Sequence, residues 1–156
     1  MMKNQIQRLK KEVFNNFLKY PKPKNSLSDA IKADNYGKPT NKFVENWNDW
    51  TEIKDWQVDE CPYIFSYLPD LDVLYYVPRY IIWTLDDING DIPDSQTGCS
   101  GSDLISWIFE NKNFLKENLN LEQLKNIKEF LNIAYSDKKV YFHDFKLLNL
   151  FPDDFI

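Results

Sequence analysis

Five side chains near the middle of the chain could hold a cation. Asp86, Asp87, Asn89, Asp91 and Asp94 lie close together. Oxygen donors at alternating positions open a calcium-binding loop, and Asp87-x-Asn89-x-Asp91 reproduces the first three ligand positions. The pattern then breaks. Ile92 stands where such a loop needs glycine, and Gly98 where it needs a bidentate glutamate. No metal is assigned on that basis. Two readings of the segment remain. Its aspartates start turns and stay hydrated, or they form an acidic patch in which carboxylates steer a basic partner and nearby aromatic rings anchor it.

Nucleophilic catalysis has little to work with. His143 is the sole histidine, so a Ser-His-Asp or Cys-His device would have to use it. Its acidic neighbour Asp144 is adjacent in sequence, where relay geometry is rarely met. Cys61 and Cys99 form no CxxC and stand near no histidine pair, which argues against zinc and for two free thiols. The chain has neither a phosphate-binding loop nor a dinucleotide fingerprint. Neither catalytic residues nor a cofactor are expected, and the chain reads as a non-enzyme. An enzyme would need a pocket built from Asp86, Asp87, Arg79 and His143. Arg79, one of two arginines, lies in the most apolar segment and is expected to pair with Asp86 or Asp87. Of the three tryptophans Trp47, Trp50 and Trp56, the last lies beyond the periodic stripe and is the candidate for exposure.

Helices must position these groups. Ile6, Leu9, Val13 and Phe17 recur at steps of three and four, the stripe of a helix over residues 4–20. Ser26 and Asp29 have capping-box spacing before a short helix through Ala33. Thr40 is placed to cap another helix, with Phe43, Val44, Trp47 and Trp50 on one face. Pro69 suits a helix start, with Asp70 and Asp72 in the first turn and Leu71, Leu74 and Tyr75 as the stripe. Pro78 is expected to kink or restart that helix. Tyr80–Leu85 reads as the central buried helix, a strand being the alternative. Residues 89–101 read as one long loop, with Ser102 capping a helix that runs to Leu115. Asn120 and Gln123 resemble a second capping box before Leu121, Leu124, Ile127, Phe130, Leu131 and Ala134. The tail from Lys139 mixes helical spacing with a strand-like alternation at Tyr141, His143 and Phe145.

The bulk properties agree with that plan. The 156 residues suit a single domain, 1–156, and 43% hydrophobic content with 11 Phe, 9 Tyr and 5 Trp supports a heavy core. A net charge of -5 disfavours nucleic acid as a partner. The N-terminus is amphipathic rather than a secretory signal, and no apolar run is long enough to span a bilayer. The expected fold is mainly α, a compact bundle of about six helices, with room for a minor β element near the C-terminus.

The run Leu74-Tyr-Tyr-Val-Pro-Arg-Tyr80, followed by Leu85-Asp-Asp87, carries a resemblance. So does the later Leu121-Glu-Gln123 with Ile127 and Phe130-Leu131. Together they resemble a family of small uncharacterised bacterial proteins with a YYLPxYL…LDD segment and an LTxEQ…VxxFL helix. The resemblance spans residues 60–135, and its motifs are packing motifs. Asn120 stands where the family has threonine, and the aromatic N-terminal part is an extension. The resemblance implies a helical domain of unknown function without catalytic residues. Small acidic proteins of this kind are similar to immunity proteins that neutralise bacterial toxins.

The expected function is therefore binding of a basic protein partner in the cytoplasm, with Asp86, Asp87, Asp91, Asp94 and Trp56 at the contact. A structural or phage-encoded interaction protein is the alternative, and an enzyme or metal-binding protein the third reading.

Overall fold

The computed structural model describes residues 2–17, 22–38, 45, 47–92, 99–137, 141, 145–146 and 152–155. Eight α-helices and no strand occur among them. The mainly α expectation holds. The helices exceed the expected number because two short ones, α3 (Asp55–Asp59) and α4 (Ile64–Tyr67), precede the central helix, and the segment after residue 98 divides in two.

The first helix, α1 (Met2–Phe17), buries the predicted stripe of Ile6, Leu9, Val13 and Phe17. Each such fully buried apolar side chain contributes roughly 1.5–3 kcal/mol relative to exposure. It lies against α8 (Leu121–Ser136) and the central α5 (Asp70–Asn89). Polar side chains fix how α1 and α8 face each other. Asn16 Nδ2 donates to Asn126 Oδ1 at 2.7 Å, and Gln123 Nε2 donates to the Asn16 carbonyl at 3.0 Å. Asn120 and Gln123 form the predicted capping box of α8, and Ser26 and Asp29 that of α2 (Leu27–Asp34). Asp72, in the first turn of α5, accepts from the backbone N–H groups of Lys24 and Asn25 and so ties the entry of α2 to the central helix.

Helix α5 is the hub. Val73 through Ile81 are all buried, as are Trp83, Thr84 and Leu85, which is the surround expected of a helix packed on several sides and excludes the strand alternative. Pro78 sits inside it without restarting it. Proline removes the one hydrogen bond to the Leu74 carbonyl, and burial of its neighbours on several helices holds the element through that loss. Leu71 is exposed, not part of the stripe: its neighbours in the first turn, Asp70 and Asp72, hold Trp107 and the entry of α2, and Val73 takes the buried position. Leu121 is likewise exposed at the start of α8.

The Trp-rich segment departs further from expectation. Thr40, Phe43 and Val44 lie outside the described residues. Residues 47–49 are not helical, and a single 3-10 turn begins at Trp50. Both Trp47 and Trp50 are nevertheless buried, and Trp50 Nε1 donates to the Phe17 carbonyl at 3.0 Å. Tertiary contact, not helical periodicity, buries them.

The segment read as a loop to Gly101 is shorter than expected. Helix α6 (Cys99–Glu110) already includes Cys99, Ser100 and Gly101, so Ser102 is interior and not its cap. Leu115 belongs to a separate helix, α7 (Lys112–Asn118), the break falling at Asn111. Of the tail, Tyr141, Phe145 and Phe155 are fully buried, with Phe145 in edge contact with Phe109 and Tyr135. Most of the expected β element lies outside the described residues.

Candidate functional site

The acidic segment singled out by its spacing is the C-terminal end of α5. Asp86 and Asp87 occupy its last turns, Gly90 closes the helix in the left-handed conformation at φ 77°, and the Asp91 N–H donates to the Asp86 carbonyl at 2.9 Å. This is an unfavourable place for carboxylates. The helix dipole is negative here, and the last turn carries no basic residue. Relief comes from elsewhere in the chain. Lys10 of α1 forms an ion pair with Asp86. Burial raises the Asp86 pKa, and the Lys10 hydrogen bond and charge pull against it. Asp87 accepts a hydrogen bond from the Tyr141 phenol at 2.7 Å.

The expected partnership of Arg79 with Asp86 or Asp87 is replaced by another. Arg79 is buried, its Nε donates to the Ile53 carbonyl at 2.7 Å, and its guanidinium pairs with Asp55. Seven residues along one helix set Arg79 two turns from Asp86, whereas the chain before α3 passes directly over the guanidinium. This anchors the start of α3 on α5.

Anchored there, α3 adds its own groups. Trp56 is 47% exposed, as its position beyond the stripe suggested. Asp59 comes within electrostatic reach of Asp87. Its pKa is raised first by burial, then by the charges of Asp87 and Glu60. Among the described residues Asp59 has no hydrogen bond and no ion pair. Sequence reasoning missed Asp55 and Asp59, although their four-residue spacing around Trp56 was there to be read. The helix carrying them is too short for a periodic signal.

The structure thus brings Asp86, Asp87 and Asp91 together at one helix end and sets α3, with Trp56, against that helix. Asp86 is half-buried and committed to Lys10. Asp91 is exposed and accepts from Asn89 Nδ2 at 2.5 Å. Asp94 and His143 lie outside the described residues. Among the described residues no group of three or more His, Cys, Asp and Glu side chains is arranged to hold a metal ion, and no helix is long and apolar enough to cross a membrane. Cys61 is buried, its thiol pushed up to about 12 by burial, and Cys99 is exposed; both are free.

The model of a family of unknown function, DUF6714, matches residues 2–149. The match begins at the first residue of α1, so the N-terminal part lies within the family's span. No curated protein and no solved structure matches the chain.

Proposed function

The chain belongs to that family of unknown function, and we propose that it is a cytoplasmic protein that binds a basic surface on a protein partner. In its sharpest form the proposal is an immunity protein that neutralises a toxin by covering that surface. The observation that carries it is the gathering of Asp86, Asp87 and Asp91 at the C-terminal end of α5, against which α3 packs with Asp59 and half-exposed Trp56, no basic side chain of the described chain being paired to Asp59. Like charges held together at the negative end of a helix cost stability. A partner's lysine or arginine would remove that cost on binding, and half-exposed Trp56 on the same short helix would supply an apolar anchor. The net charge of -5 adds long-range attraction for a cationic surface.

The test is affinity capture from the native host with the full chain, quantified by mass spectrometry. A basic protein held in stoichiometric amount, with affinity falling as salt rises, is the expected result. The double variant Asp59→Lys, Asp91→Lys alters carboxylates that make no bond to another element among the described residues. It should lose that protein while keeping its thermal unfolding midpoint. Retention at unchanged affinity would show that this corner is not the contact. A monomeric protein that captures nothing would end the partner-binding reading.

A further inference from the structure

The two ends of α5 differ in how their neighbours close. At the C-terminal end, the bond from the Asp91 N–H to the Asp86 carbonyl spans a left-handed residue, and that residue is Gly90. Helix α2 closes with the same six-to-one bond, the Gly37 N–H donating to the Lys32 carbonyl at 2.8 Å. Here the left-handed position is Tyr36, at φ 52°, the one non-glycine with positive φ among the described residues. A bulky side chain in that conformation is strained, because its Cβ crowds the following carbonyl. Packing within the described chain does not offset the strain, since Tyr36 is 96% exposed.

Tyr36 stands beside a half-buried carboxylate. Tyr67, the last residue of α4 and also exposed, donates its hydroxyl to Asp34 Oδ1 at 3.3 Å. The phenols of Tyr36 and Tyr63 lie within electrostatic reach of that of Tyr67. The Asp34 charge is the largest influence raising the Tyr67 pKa. Asp34 itself forms no ion pair among the described residues. A carboxylate bonded to one phenol, with two further phenols within reach of that one, and left without a cation is complementary to one group above others. That group is a guanidinium, which can fork onto the carboxylate and lay its plane against a ring.

We propose that Asp34, Tyr36, Tyr63 and Tyr67 form a docking site for an arginine side chain of a protein partner. The carboxylate would pair with the guanidinium, and the rings would cover its stem and face. The strained tyrosine then has a reason: it places an aromatic ring where glycine would serve the helix better. This site is independent of the acidic corner. It adjoins the start of α5, and the run of helix from Leu71 to Asp87 sets the two apart by about 24 Å along the axis.

The test uses the full chain and a blocked Gly-Arg-Gly peptide, followed by NMR of the tyrosine rings, with the citrulline peptide as neutral control. The ring signals of Tyr36, Tyr63 and Tyr67 should shift saturably with the arginine peptide and not with its control. Asp34→Asn should weaken the response about tenfold, in line with loss of a charge-assisted pair. Tyr36→Gly should weaken it while raising the thermal midpoint. An equal response to citrulline, or a response indifferent to Asp34→Asn, would overturn the proposal. So would silence of these rings at millimolar peptide. Shifts confined to Trp56 would also overturn it, while leaving the acidic corner standing.

Discussion

The phenol of Tyr141 occupies the space that a side chain at Gly101 would need. A Cβ at residue 101 would stand 2.5 Å from the Tyr141 hydroxyl oxygen and 2.6 Å from its Cε1. Glycine inside a helix costs roughly 0.5–1 kcal/mol against alanine, so its place in α6 needs a reason, and this contact supplies it. The same phenol donates to Asp87, so the notch in α6 seats the tail against the acidic end of α5.

Gly101→Ala should therefore destabilise the fold, by about 2 kcal/mol as an overpacked core site does, despite alanine's better helix propensity. Most of that loss should be absent when the substitution is made on a Tyr141→Ala background, because the clash is then gone. A double-mutant cycle in urea reads both numbers. Additive losses would mean that the two residues do not meet.

Arg79 and Asp55 form one ion pair with unequal members. The Arg79 side chain is 9% exposed and that of Asp55 59%. Asp55→Asn keeps an oxygen that can accept from the guanidinium, which also retains its bond to the Ile53 carbonyl and the charge of Asp86 within electrostatic reach, so it should cost about 1 kcal/mol. Arg79→Ala strips the Ile53 carbonyl of its donor and opens a cavity beneath α3, and should cost about 3 kcal/mol. Chemical denaturation distinguishes the two, and equal losses would show that the pair, not the buried cation, matters.

Tyr36 and Gly90 make a matched comparison, since each closes a helix with a left-handed residue. Tyr36→Gly should stabilise the protein by up to about 1 kcal/mol, and Gly90→Ala should destabilise it by about the same amount. Calorimetric midpoints measure both. A loss of stability in Tyr36→Gly would mean that the ring packs more than its exposure indicates.

The pH dependence follows from signs. Asp59 and Asp86 have pKa values raised above the usual aspartate value of 3.8. The folded state therefore holds their protons more tightly than the unfolded state does. Ionised, they cost stability, and that cost fades as pH falls through their folded values and is gone below 3.8. Asp29 behaves oppositely. Its bonds to Ser26 lower its pKa, so its contribution is present above 3.8 and is lost as pH falls through the folded value. Asp59→Asn should thus stabilise the protein modestly near pH 7 and make little difference near pH 3, where Asp59 is itself protonated. Urea unfolding at the two pH values is the measurement, and a gain that persists in acid would assign the effect to packing.

Local rules carried much of this fold. The Ile6-Leu9-Val13-Phe17 stripe, the box at Ser26 and Asp29 and the box at Asn120 and Gln123 appear where spacing put them. Each depends on residues at most one or two turns apart. The site was legible to the same extent. Asp86, Asp87 and Asp91 are neighbours because one helix end makes them so, and Trp56 is exposed. The choice of partner for Arg79 was not legible. Lys10 for Asp86, Asp55 for Arg79 and Tyr141 for Asp87 join groups far apart in the chain, and charge alone allowed many pairings.

The sequence by itself determined that the segments of α1, α2, α5 and α8 are helical, where α2 and α8 begin, and that carboxylates gather at the end of the most apolar one. Those outcomes rest on periodicity and capping, which act over a few residues. Tertiary packing alone decided that Pro78 stays inside an unbroken helix, that Trp47 is buried without being helical, and that Arg79 pairs with Asp55. Each depends on which helix lies across which, and burial on a neighbouring element outweighs a local preference worth at most a few kcal/mol.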